Sequence, residues 1–210
     1  TNTGTATLSG VPLNSNVGSS SVVLSVTDAL GATDNQSFTI TVVNTNDAPA
    51  FTSSPVTAAL QDIVYTYNIT TSDPDAGDSR TITNTVLPGW ITTFSDNGNG
   101  TATMSGTPTN SDFGSNPVTL VVTDAAGVAV EQSFEINVDN ANDAPEFTST
   151  PLTSVNEDAT YSYAITSSDP DVGDSRTVSA LSLPSWLTLT GITNTGTATL
   201  SGVPLNSNVG

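Results

Sequence analysis

Apolar and polar residues alternate along this chain in short runs, separated by clusters of Gly, Pro, Asn and Asp. That period of two belongs to a strand with one buried face. Over residues 63–69, Ile63, Tyr65, Tyr67 and Ile69 share one face, and Val64, Thr66 and Asn68 share the other. Val118, Leu120 and Val122 repeat the pattern. The runs are rich in Thr, Val, Ile and Tyr, whose side chains suit a pleated, half-buried surface. No stretch has the spacing of an amphipathic helix. In the middle of the chain the pattern predicts strands near residues 50–53, 56–59, 63–70, 80–86, 91–95, 101–105, 118–123 and 128–138. So many short strands, bounded by turn residues, predict an all-β sandwich.

A longer period lies over the short one. Thr1 to Gly18 reads TNTGTATLSGVPLNSNVG and Thr193 to Gly210 reads the same, an offset of 193 − 1 = 192 residues. Asn44-Thr45-Asn46-Asp47-Ala48-Pro49 recurs as Asn140-Ala141-Asn142-Asp143-Ala144-Pro145, an offset of 140 − 44 = 96. The chain then divides into the C-terminal part of one repeat (1–47), a complete repeat (48–143) and the N-terminal part of a third (144–210). A repeat of this length encloses its own core, and fixed-period self-similarity predicts an elongated tandem array. Superposition at 96 residues picks out the core: Tyr65 with Tyr161, Tyr67 with Tyr163, Ile69 with Ile165, Trp90 with Trp186, Met104 with Leu200, Phe38 with Phe134. The two Trp residues are expected to anchor cores rather than to form sugar platforms. Gly10 and Gly106, followed by Pro12 and Pro108, read as turns between strands. The outer part-repeats fit two readings. One is a window in a longer covalent array. The other is a polymer in which the tail of one chain is completed by the head of the next, because a half-sandwich exposes apolar surface and strand edges. The window is preferred. Both readings make the partners neighbouring repeats or like chains in a filament.

Charge narrows the function. There are 20 acidic residues and two basic ones, Arg80 and Arg176, with no Lys and no His, for a net charge of −18. Phosphate contacts require Lys and Arg, so a nucleic-acid partner is excluded, as is an anionic membrane surface. No apolar run is long enough for membrane insertion. Without Cys there are no disulfides, and without His or Cys the usual general base and thiol nucleophile are missing. Paired carboxylates can hydrolyse glycosides, but every close acidic pair lies in a repeated loop or linker, so the chain reads as no enzyme. Each Arg directly follows an acidic loop and is expected to pair with a neighbouring Asp.

The acids are clustered, and the clusters recur. Asp73-Pro74-Asp75-Ala76-Gly77-Asp78 returns as Asp169-Pro170-Asp171-Val172-Gly173-Asp174. The linker group Asn44, Asn46 and Asp47 returns as Asn140, Asn142 and Asp143, with Asp139 beside it. Asp28 with Gly31 matches Asp124 with Gly127, and Asn14 with Asn16 matches Asn110 with Asp112. Any one cluster is an ordinary turn former. Together they put converging oxygen donors at every repeat boundary, which is what Ca²⁺ requires, with six to eight oxygens at about 2.3–2.6 Å. Carboxylates so crowded repel unless a cation sits among them.

The combination of Asn-Asp-Ala-Pro, Asp-Pro-Asp-x-Gly-Asp, Leu-Pro-x-Trp, Ser-Gly-x-Pro and Val-Thr-Asp-x-x-Gly resembles the cadherin-like repeats of the dystroglycan type found in large bacterial surface proteins. The resemblance covers the whole chain. It implies tandem Greek-key Ig/cadherin-like β-sandwich domains with Ca²⁺ clamped between them. By that resemblance Asp73 and Asp75 match the Asp-x-Asp pair, Asp124 a late-strand aspartate, and Asn46 and Asp47 the linker. Glu157 matches a first-strand glutamate at the next junction. Gln61, with Asp62 beside it, stands in that glutamate's place in the complete repeat, which leaves the number of ions per junction open. The implied function is an extracellular, cell-surface or secreted structural repeat: a calcium-rigidified part of an adhesin, filament or biofilm matrix protein. The alternative is a polysaccharide-binding accessory module of a secreted protein. A cell-surface glycan or protein would be the outside partner.

Overall fold

The predicted strands all form, with ends shifted by a few residues. The computed structural model describes residues 4–209, which fall into two compact units. The first holds the residues up to Ala59, Ile63–Pro108 and Gly114–Asn137; the second holds Leu60–Asp62, Thr109–Phe113 and the chain from Val138 onward.

In the first unit β1 (Gly18–Thr27) and β2 (Thr33–Val42) form an antiparallel hairpin, with Gly18 opposite Val42 and Thr27 opposite Thr33. There follow β3 (Ala50–Phe51), β4 (Ala58–Leu60), β5 (Tyr65–Ser72), β6 (Arg80–Val86), β7 (Ile91–Asp96), β8 (Thr101–Gly106), β9 (Gly114–Asp124) and β10 (Ala129–Asp139). They make two four-stranded sheets, ordered β3-β5-β8-β7 and β4-β10-β9-β6. Tyr65, Tyr67, Ile69 and Met104 from the first sheet are buried, as are Ile82, Val118, Leu120, Val122 and Ile136 from the second. Each large apolar side chain so buried contributes roughly 1.5–3 kcal/mol.

Aromatic residues tie the core together. Tyr65 meets Trp90 edge to face at 5.5 Å, and Tyr67 meets Phe134 at 5.8 Å. Trp90 is buried, as expected of a core anchor, and its indole N–H donates to Asn116 Oδ1 (3.1 Å). Tyr65 donates to the carbonyl of Val56 (2.7 Å), and burial pushes its phenol well above the ordinary tyrosine range.

Two expectations need correction. Ile63 was expected to face inward but is 56% exposed. Asp62 has φ +60°, a left-handed conformation that turns the chain just before β5, so the buried face begins at Tyr65. Gly106 does not lie in a turn. It is the last residue of β8, opposite both Tyr65 and Ile91, and a Cβ there would collide with the carbonyl of Trp90.

The second unit contains β11 (Glu146–Phe147), β12 (Tyr161–Ile165), β13 (Ser167–Ser168), β14 (Leu187–Thr190) and β15 (Ala198–Gly202). Strand β11 pairs with β13, and β12-β15-β14 form a sheet. Tyr161 sits opposite Gly202 and Tyr163 opposite Leu200, the register that Tyr65–Gly106 and Tyr67–Met104 have 96 residues earlier (161 − 65). Ile165, Val178 and Ala198 are buried together, while Phe147 and Leu181 are exposed.

Candidate metal centre

The loop between β5 and β6 is folded by its own carboxylates. The Asp75 N–H donates to Asp73 Oδ1 (2.8 Å), and the Asp78 N–H donates to the carbonyl of Asp75 (3.1 Å). Gly77, at φ +86°, supplies the left-handed step this tight loop needs. One carboxylate oxygen each of Asp73, Asp75 and Asp78 is thereby brought within 4.8 Å of the others. The linker closes on this loop. The Asp47 N–H donates to Asp75 Oδ2 (2.8 Å), Asn46 Nδ2 to Asp124 Oδ2 (2.8 Å), and Asn14 Nδ2 to Asp47 Oδ2 (2.6 Å). The amide of Asn46 holds the Asp124 carboxyl below the usual aspartate range, helped by the N–H groups of Val128, Gly127 and Ala126 and opposed by desolvation.

A second centre, in the second unit, is built in the same way. The Asp171 N–H donates to Asp169 Oδ1 (3.0 Å), the Asp174 N–H to the carbonyl of Asp171 (3.2 Å), and the Asp143 N–H to Asp171 Oδ2 (2.7 Å). Asp169, Asp171 and Asp174 again bring oxygens within 4.8 Å of one another. Asp143 Oδ2 accepts from Asn110 Nδ2 (2.8 Å) and from Gln61 Nε2 (2.9 Å).

Both centres fit a hard cation. Asp75 and Asp171 are each 6% exposed. One oxygen of each is held by a linker N–H, while Oδ1 of each is buried with no hydrogen-bond partner among the described residues; Asp73 Oδ2 is in the same condition. An unpartnered buried oxygen is expensive. Two carboxylates 4.8 Å apart repel by about 3 kcal/mol at an effective dielectric of about 20. Every donor in the two sets is an oxygen, the ligand type of Ca²⁺.

The remaining predicted residues are placed as follows. Asn44 and Asn140 lie exposed in their linkers, and among the described residues neither has a hydrogen bond to an acidic loop. Asn142 donates to the carbonyl of Asp143 (3.0 Å). Asp112 caps its own 3-10 turn, accepting from Thr109 N and Oγ1 (2.8 Å each), so Asn110, not Asp112, reaches the linker. Asp28 Oδ1 accepts from the N–H groups of Leu30 and Ala32 (2.9 Å each), at the end of the β1–β2 hairpin far from residues 44–47. Asp139 ends β10, and its carbonyl accepts from the Gln61 N–H (3.0 Å). Asp62 is exposed and receives Gln61 Nε2 (3.1 Å). Glu157 is exposed in a cleft lined also by Tyr161, Trp186 and Asn208, to which none of the Asp169–Asp174 carboxylates contributes.

The arginines depart from expectation. Arg80 donates from Nε to Thr71 Oγ1 (3.1 Å) and from Nη1 to the carbonyl of Asp78 (3.4 Å), and Arg176 donates from Nη2 to the carbonyl of Thr195 (3.0 Å). A Cβ at Gly100 would strike the Arg80 guanidinium, so glycine makes room for it. Among the described residues these donors serve a strand hydroxyl and backbone carbonyls, not the expected carboxylates.

The family model described as "Putative Ig domain" matches residues 1–43, 48–139 and 144–210. The serine-rich adhesin for platelets of Staphylococcus aureus (strain MRSA252) is 36% identical over 138 residues, covering 63% of this chain and 9% of the adhesin. The chain thus spans less than a tenth of the length of the curated relatives it matches. Among solved structures, protocadherin gamma B2 extracellular cadherin domains 1–5 align with a TM-score of 0.58 at 20% identity, over 88% of this chain and 38% of that one. This likeness is one of fold. An endo-fucoidan hydrolase from glycoside hydrolase family 107 aligns with a TM-score of 0.42 at 27% identity, over 96% of this chain and 32% of that one.

Proposed function

Because the chain belongs to the "Putative Ig domain" family, we propose that it is an extracellular repeat of a surface adhesin or matrix filament whose linkers are stiffened by Ca²⁺. One observation carries this reading. Asp75 and Asp171 each give one oxygen to a linker N–H and keep the other buried and unpartnered among the described residues. Asp73, Asp75 and Asp78, with Asp47 and Asp124, would hold an ion at the first linker. Asp169, Asp171 and Asp174, with Asp143, would hold one at the second. The bound ion supplies the positive charge that these carboxylates lack.

The chain's own residues do the rest. Backbone N–H groups of Asp47 and Asp143 fasten the linkers to the acidic loops, and the amides of Asn14, Asn46 and Asn110 orient the linker and late-strand carboxylates. With the loop charges neutralised, these bonds persist and the linker loses its freedom, worth about 1–2 kcal/mol per residue in backbone entropy. An ion that binds only the folded form stabilises it by about 1.4 kcal/mol at ten times its Kd. Extracellular modules of this chemistry bind at roughly 10⁻⁴–10⁻³ M, so stiffness would follow ambient calcium. The core position of Trp90, 6% exposed, gives no platform for a polysaccharide.

Small-angle scattering and thermal unfolding, with calcium and with chelator, test the reading. Calcium should narrow the distribution of chain dimensions and raise Tm. Identical profiles and equal Tm in the two conditions would reject it.

A further inference from the structure

The two linkers differ in how their aspartate is held. Asp47 Oδ2 accepts from Asn14, and Asp143 Oδ2 accepts from both Asn110 and Gln61. Gln61 is 2% exposed, and its amide is fully engaged. Nε2 donates to Asp143 Oδ2 (2.9 Å) and Asp62 Oδ2 (3.1 Å), while Oε1 accepts from the Ala141 N–H (3.3 Å). Ninety-six residues later (157 − 61) the same position is Glu157, followed by Asp158 with the same φ of +60° as Asp62. The two sites share their backbone turn and differ in whether the side chain can donate.

That difference has an electrostatic consequence. An amide has two N–H donors, whereas an ionised carboxylate has none. A glutamate in the place of Gln61 would set its oxygens against Asp143 and Asp62 at the same short range, and neither contact could hold without positive charge between them. The Gln61 amide joins two carboxylates that a cation would otherwise have to join.

We propose that Gln61 fixes the ion count of its linker: its amide replaces one divalent cation, so this linker takes one Ca²⁺ fewer than the same linker with glutamate. The inference rests on the calcium reading above. Gln61 meets the Asp169–Asp171–Asp174 site only through Asp143, and Asp171 Oδ1 remains unpartnered among the described residues. The position is Gln61 in one repeat and Glu157 in the next, so on this proposal the two repeats differ in their calcium demand.

The test counts bound calcium on the 210-residue chain, on Gln61→Glu and on Asp171→Asn, by calorimetric titration and native mass spectrometry. Gln61→Glu should bind one ion more than the parent, and its Tm should drop in chelator and recover with calcium. If Gln61→Glu fails to fold in chelator, refolding on addition of calcium with one extra ion bound supports the proposal, and failure to refold overturns it. An unchanged count in Gln61→Glu, with a reduced count in Asp171→Asn, overturns the proposal and leaves the calcium reading standing. No binding by any of the three overturns both.

Discussion

Asp171 accepts a linker N–H at Oδ2 and has Oδ1 unpartnered among the described residues, so its replacement should change sign with conditions. In chelator, Asp171→Asn removes charge from a crowded loop and should raise stability by on the order of 1 kcal/mol. In millimolar calcium the same change removes a ligand and should lower stability relative to the parent. Thermal melts of both proteins in both buffers check the reversal. Asp124 gives a pH prediction. Its folded-state carboxyl titrates below the ordinary aspartate value, chiefly because Asn46 donates to the ionised form. A depressed folded pKa contributes stability that is present above the unfolded value of about 3.9 and is lost as pH falls through the lowered folded value. In chelator, Asp124→Asn should therefore flatten the acid limb of the Tm–pH curve below about pH 4. At this scale the 96-residue spacing named the carboxylates, and Asn14, Asn46 and Asn110 with them, but as oxygen donors; in the structure their amide N–H groups hold the carboxylates. Asn110 and Asp112 look interchangeable in sequence. Only the 3-10 turn decides that Asp112 caps it and Asn110 reaches Asp143. Likewise Asp62 drew attention for its charge, but its left-handed backbone leaves it exposed, and the neighbouring Gln61 is buried.

Among the elements, alternation located the strands because each sheet has one wet face and one dry face, and the period of two records that directly. It failed where geometry, not pattern, rules. Ile63 continues the apolar phase in sequence, yet the turn at Asp62 removes it from the face. Gly106 has the sequence context of a turn, but its smallness serves the close approach of the Trp90 carbonyl to β8. Gly106→Ala should therefore destabilise by about 1–3 kcal/mol or more, because the obstructing atom belongs to the backbone and cannot rotate away. Gly89→Ala meets nothing within 4 Å and serves as the control, with an expected change near zero. Urea unfolding of the two variants separates them. Gly100 likewise makes room for the Arg80 side chain, a contact that no local pattern announces.

For the molecule as a whole, the matching registers of β5–β8 and β12–β15 carry the repeat from sequence into structure. Both arginines of a chain with net charge −18 donate to neutral oxygens, a threonine hydroxyl and backbone carbonyls. Among the described residues the two acidic centres have backbone N–H groups, amides and, at the carbonyl of Asp78, the Arg80 guanidinium as hydrogen-bonding neighbours, and on the proposed reading the balancing charge is an ion from solution. Asp75 Oδ1 and Asp171 Oδ1 are buried with no hydrogen-bond partner among the described residues. The most direct measurement is crystallographic density from a calcium-replete sample. The account predicts an ion at about 2.3–2.6 Å from each of these two oxygens, and water alone at both positions would contradict it.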